Sequence, residues 1–137
     1  MKFLVILFSV LIFFKSLGTR VGRVRVIFQL PSNLDAGLGL QEAPASWPRN
    51  HLAYIEWYRP QERIADDSTG MYVIKKTKDI QCSVVSLKSI RQSCMLIPKF
   101  DDSIDWQSTW TSANILDSAS TFFLNNWQSS YAYQTIW

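Results

Sequence analysis

Strict alternation of apolar and polar residues through two stretches of the first half constrains this chain more than any other feature. In residues 21–30, Val24, Val26, Phe28 and Leu30 fall on one side and Arg23, Arg25 and Gln29 on the other, which is the period-two signature of a half-buried strand. From Arg23 onward Ile27 is the one apolar residue out of phase. Pro31 ends this strand because it has no N–H to give to a ladder. In residues 51–59, Ala53, Ile55 and Trp57 share one face, Tyr54, Glu56 and Tyr58 the other, and Pro60 stops the run.

Three further strands are expected over residues 71–75, 82–87 and 94–97, with Asp66-Asp67-Ser68-Thr69-Gly70 as a turn and Pro98 closing the last. Residues 32–50, rich in small residues and carrying Asp35-Ala36-Gly37 and Trp47-Pro48, read as a long surface loop. Five short strands separated by turn residues predict a mainly β fold, a small barrel or sandwich. One segment has a helical period. From a cap at Thr111 or Ser112, Ile115, Ala119 and Phe122 recur at i, i+4 and i+7, which predicts one C-terminal α-helix reaching residue 124 and packing over an open end of the sheet. Trp127, Tyr131, Tyr133 and Trp137 make the tail too apolar for a disordered end.

The N-terminus follows a different pattern. Lys2 precedes an unbroken apolar or small run over residues 3–14, and Ser16-Leu17-Gly18 offers small residues at the spacing that signal peptidase reads. That run is shorter than the roughly 20 residues a membrane-crossing helix needs, so a removable signal or a shallow anchor is expected, in the form of an N-terminal hydrophobic helix. The chain then divides into a leader, residues 1–18, and a single mostly-β domain, residues 19–137. On this reading the protein enters the secretory pathway, and membrane contact is confined to residues 1–18 while they remain attached. No Asn-x-Ser/Thr acceptor marks it for glycosylation.

Charge and cysteine content narrow the chemistry. The formal net charge of +3 falls to +1 without Lys2 and Lys15, yet residues 100–137 contain no base, so the basic groups are concentrated in the body. Arg20, Arg23 and Arg25, with Lys75, Lys76 and Lys78, form a phosphate-facing surface if their strands are neighbours, a route to nucleic acid or to a protein partner. Cys82 and Cys94, the only cysteines, have two open readings: one disulfide in an oxidising compartment, or two small apolar residues in a reducing one.

Catalytic and metal motifs are few. One histidine, His51, with two distant cysteines cannot make the usual zinc sets, and it has no nucleophile elbow beside it. Gly37-Leu38-Gly39 lacks the third glycine or Lys-Ser/Thr pair of a phosphate loop. Asp101, Ser103 and Asp105 begin like a calcium loop, but Trp106 stands where the sharp turn needs glycine. No catalytic residue, metal or cofactor is assigned. Aromatic side chains are the remaining candidates, since their faces hold sugars, bases or methylated ammonium groups, and the candidate binding set is Arg23, Arg25, Tyr54, Trp57 and Tyr58.

Five blocks carry a family resemblance: residues 21–31, His51-Leu52-Ala53-Tyr54-Ile55-Glu56-Trp57, Gly70-Met71-Tyr72, residues 90–100, and Trp110-Thr111-Ser112-Ala113-Asn114-Ile115-Leu116-Asp117. In this order they resemble the C-terminal β-rich portion of large uncharacterised fungal proteins encoded by mobile elements, over nearly everything after Thr19. A shorter block, Ile55-Glu56-Trp57-Tyr58-Arg59-Pro60-Gln61-Glu62, is similar to the Trp-aromatic-Arg-Pro-Glu block of the bromo-adjacent homology domain, a β-rich chromatin interaction module. The first resemblance implies a fragment of a longer protein whose apolar start is a gene-model artefact, located in the nucleus or cytoplasm. The expected function is a non-catalytic binding or structural module; the alternative is a small secreted protein that binds glycan or another cell-surface ligand with exposed aromatics.

Overall fold

The computed structural model describes residues 9–14, 18–35, 37, 39–60, 64–100 and 111–128. It is mainly β. In chain order the strands are β1 (Ser9–Phe14), β2 (Gly18–Phe28), β3 (Asn33–Asp35), β4 (Leu40–Glu42), β5 (Leu52–Trp57), β6 (Arg59–Pro60), β7 (Tyr72–Lys75), β8 (Cys82–Ser86), β9 (Ile90–Pro98) and β10 (Thr121–Asn125). Among the described residues the one helix, α1, is the single turn Ile115–Ser118, and 3-10 turns occupy Leu87–Ser89 and Asn126–Gln128. No helix among the described residues is long and apolar enough to cross a membrane.

Eight strands form one hydrogen-bonded series, β6-β7-β10-β9-β1-β2-β5-β8, and β3 and β4 make a separate ribbon. The long strand β9 serves two sheets. Its first half pairs with β1, from Ile90↔Ile12 to Cys94↔Ser9, and its second half pairs with β10, from Met95↔Asn125 to Pro98↔Phe122. The outermost strands β6 and β8 do not pair with each other, so hydrogen bonding closes neither sheet. Connectivity nevertheless brings the ends together: β5 runs into β6 through Tyr58 alone, and β8 runs into β9 through the turn Leu87–Ser89. That turn is held by Ser86, whose hydroxyl accepts from Lys88 N and whose carbonyl accepts from Ser89 Oγ at 2.6 Å.

Two apolar clusters result, one on each face of β2. Val24, Ala53, Ile55 and Trp57 form the first, with Ile27, Val85, Leu87 and Ile90 packed against them, so it draws on β2, β5, β8, β9 and the turn Leu87–Ser89. Val21, Tyr58, Ile74, Cys94, Ala119, Phe122 and Leu124 form the second, between that sheet and the sheet of β7 and β10. Ile55, Phe122 and Leu124 are fully buried. Burying an aliphatic or aromatic side chain of this size stabilises by roughly 1.5–3 kcal/mol, so these two clusters supply most of the driving force.

A bulge explains the out-of-phase Ile27. The β2–β5 register passes from Val24↔Ile55 to Val26↔Tyr54, leaving Arg25 as the extra residue and inverting the faces beyond it. Ile27 then faces Ala53 and joins the first cluster. Gly22 is required nearby: a methyl there would overlap Cγ2 of Ile55 and meet Cε3 of Trp57 at 3.0 Å.

Several expectations are corrected. The C-terminal helix exists but ends at Ser118; Ala119 turns extended (φ −75°, ψ 144°) and residues 121–125 are strand β10. The β-branched and aromatic run Thr121-Phe122-Phe123 favours a strand, and Phe122, which fits the helical period with Ile115 and Ala119, fits period two with Leu124 as well. The predicted N-terminal hydrophobic helix is not found at Ser9–Phe14, whose backbone is a strand paired on both sides, with β2 and with β9. Residues 1–8 and 15–17 lie outside the described residues. Within the expected loop 32–50, β3 and β4 form a hairpin turned by Gly37 and Gly39, both at positive φ. Cys82 and Cys94 form no disulfide: Cys82 is exposed on β8, Cys94 is buried on β9, and three strands separate them in the series.

Candidate functional site

The loop of residues 76–81 joins β7 to β8 and so passes from one sheet to the other. Its ends are fixed by backbone bonds, Lys76 N to Ser120 O and Trp57 N to Gln81 O, both 2.8 Å. Lys75, Lys76 and Lys78 are carried past the short edge strand β6, and with Arg59 they line an open cleft of about 540 Å³ that also touches Asp79 and Gln81. Arg59 and Lys75 are direct register partners in the β6–β7 ladder. Like charges placed opposite each other across a ladder are destabilising, and no described carboxylate pairs with either one. Among the described residues the cleft therefore carries an excess of positive charge, four basic side chains against Asp79.

Two constructions behind the cleft hold it in shape. Arg20 stacks over the Trp57 ring, 4.3 Å from its centroid, and donates through Nη2 to Gln81 Oε1 at 3.0 Å, fastening the end of the loop to β2. On the other side Arg23, buried on β2, donates through Nη1 to Asp117 Oδ1 on α1, and Lys76 Nζ donates to the Asp117 carbonyl at 2.8 Å. Arg25 lies 3.5 Å from the same carboxylate and 3.4 Å from Glu56. The Arg23 hydrogen bond, helped by the charges of Arg23, Arg25 and Lys76, holds the Asp117 carboxyl below the usual carboxylate range against the opposing effect of burial. Burial lowers the Lys76 ammonium from its ordinary value, with Asp117 opposing.

The five candidate binding residues do not converge. Arg23 is buried and paired, whereas Arg25, bulged outward, stays partly exposed. Trp57 is buried in the first cluster and donates through Nε1 to Ser83 Oγ at 2.7 Å. Tyr58 is buried in the second cluster, edge-on to Phe122 at 5.8 Å between centroids. Neighbouring strand residues point to opposite faces, so these two rings cannot form one cage. Tyr54 is half-buried, and a hydrogen bond with Cys82 raises its hydroxyl above the ordinary value. The strands of the expected basic surface, β2 and β7, are not neighbours in the series, and Arg23 and Arg25 are not in the lining; Lys75, Lys76 and Lys78 line the cleft with Arg20 bonded to Gln81 beside them, and Arg59 is the member that sequence reading missed, because it sits beside a strand-ending proline.

Among the described residues no group of three or more His, Cys, Asp or Glu side chains is placed to hold a metal ion. The calcium-like Asp101, Ser103 and Asp105, and also Trp106, lie outside the described residues. No family model, curated protein or solved structure matches the chain.

Proposed function

We propose that the chain is a non-catalytic binding module, a piece of a mobile-element-encoded protein of the kind it resembles, and that it holds nucleic acid by its phosphates in the cleft of Arg59, Lys75, Lys76 and Lys78. One observation carries this reading: Arg59 and Lys75 face each other in the ladder with no described carboxylate to neutralise them. A row of phosphates supplies the missing charge, and release of its counterions drives the association. The scaffold we propose is a small barrel, made by the curling of β9, β1, β2, β5 and β8 around the Ile55 cluster and joined at the Leu87–Ser89 turn. The location that suits such a ligand is the nucleus or cytoplasm.

The competing reading, a secreted protein that grips glycans with tryptophans, has less support. Trp57 is buried and Trp47 half-buried; Trp127 is exposed, while Trp106, Trp110 and Trp137 lie outside the described residues. A titration of labelled (dT)20 decides. Lys75→Glu/Lys78→Glu is expected to weaken binding tenfold or more with no loss of melting temperature, since Glu at 75 would pair with Arg59, and unchanged affinity would end the proposal.

A further inference from the structure

A second cleft lies at the opposite end of β5. Its volume is about 300 Å³ and it is lined by Gln29, Arg49, Asn50, His51, Leu87 and Lys88. The registers Phe28↔Leu52 and Leu52↔Ser86 put Gln29, His51 and Leu87 together where β2, β5 and β8 end or begin. Every side-chain polar group that lines it can donate a hydrogen bond and none is acidic. The walls are preformed: Gln29 Nε2 donates to Arg49 O at 2.8 Å, Leu87 N to His51 O at 2.9 Å, and Arg49 Nη2 to Ala43 O at 3.1 Å. Neither Arg49 nor Lys88 is paired with a carboxylate among the described residues.

We propose that this cleft is a second phosphate-binding site, and that one nucleic-acid strand seated in the first cleft continues into it. The inference rests on the reading of the first cleft as a phosphate site. From His51 to Arg59 the chain is extended apart from the bend at Tyr58, so at about 3.3 Å per residue the clefts are separated by no more than roughly 26 Å along β5. Once the first cleft is filled, the second encounters the same strand at a high effective concentration, so two modest sites give one tight one.

The test is (dT)20 binding to the full chain as a function of salt. Arg49→Glu/Lys88→Glu is expected to weaken binding about tenfold, and to reduce the steepness of the logarithmic salt dependence by about 1.4, two phosphates at about 0.7 each. Lys99→Glu, outside both clefts, measures the effect of net charge per reversal. If Arg49→Glu lowers the melting temperature, Lys88→Glu alone decides, with a loss of about threefold. Unchanged affinity and salt dependence in these variants, with Lys75→Glu/Lys78→Glu still weakening binding, overturns the second site and leaves the first standing. Loss in neither pair removes both.

Discussion

Arg23 and Asp117 stand 94 residues apart in sequence and meet at 2.5 Å, the guanidinium nearly sealed from solvent and the carboxylate at the surface. This contact fastens the single helical turn α1 to the centre of β2. Arg25 shares the Asp117 carboxylate, and Lys76, which lines the neighbouring cleft, donates to the Asp117 backbone carbonyl, so the same residue ties β2 and the cleft together.

Removing the charge from Asp117 leaves Arg23 buried without its anion. Asp117→Asn is expected to destabilise by about 2 kcal/mol at pH 7 in urea unfolding, in the range for a charged hydrogen bond. The carboxyl has a folded pKa below its unfolded value near 3.8, so its contribution is present above that value and is lost as pH falls through the folded pKa. The gap between wild type and variant should therefore close in acid. A gap that stays constant down to pH 2 would show that the charge plays no part.

The thiols separate by burial. Native protein should react with one equivalent of a thiol reagent, at Cys82, and with two after unfolding. Burial pushes the Cys94 thiol up to about 12 from 9.0, so stability is unaffected below pH 9 and declines from there toward pH 12 as the unfolded state ionises first. Cys94→Ala should remove that part of the alkaline decline. No labelling without a reductant would instead mean that the cysteines are bonded.

Gly22→Ala tests the close approach of β2 to β5. With Ile55 and Trp57 in the way, the added methyl should destabilise by about 1–3 kcal/mol, the usual range for overpacking. An unchanged urea midpoint would show that the strands lie farther apart.

Part of this was legible in the sequence. Alternation located β2 and β5, and β-branched and aromatic content located β7. Ile27 was visible only as a break in phase, since a bulge changes which face a residue joins and the pattern does not say where the extra residue sits. Phe122 fits a helical period with Ile115 and Ala119 and a strand period with Leu124, and the choice was made by pairing with β7 and β9, which is long-range. Residues 9–14 are continuously apolar, as a leader is and as a strand paired on both sides is; composition does not separate the two. The lysines 75, 76 and 78 were visible as a charge run, but Arg59 joined them only through the β6–β7 register.

The same pairing makes a prediction about the first 18 residues. β1 bonds to β2 over Ser9–Phe14 and to β9 over Ser9–Ile12, so its removal opens two strand edges in the middle of the series. A chain starting at Thr19 should lose its cooperative thermal transition or show one well below that of the full chain. Equal melting of the two would mean that β1 is dispensable and would favour a leader that is cut away.

The most direct measurement is the salt dependence of (dT)20 binding to the wild-type chain. With up to four phosphates held by Arg59, Lys75, Lys76 and Lys78, the logarithm of the binding constant should fall against that of salt with a slope of about −3, and more steeply if the second cleft is engaged. A slope near zero, or no binding at low salt, would contradict the account.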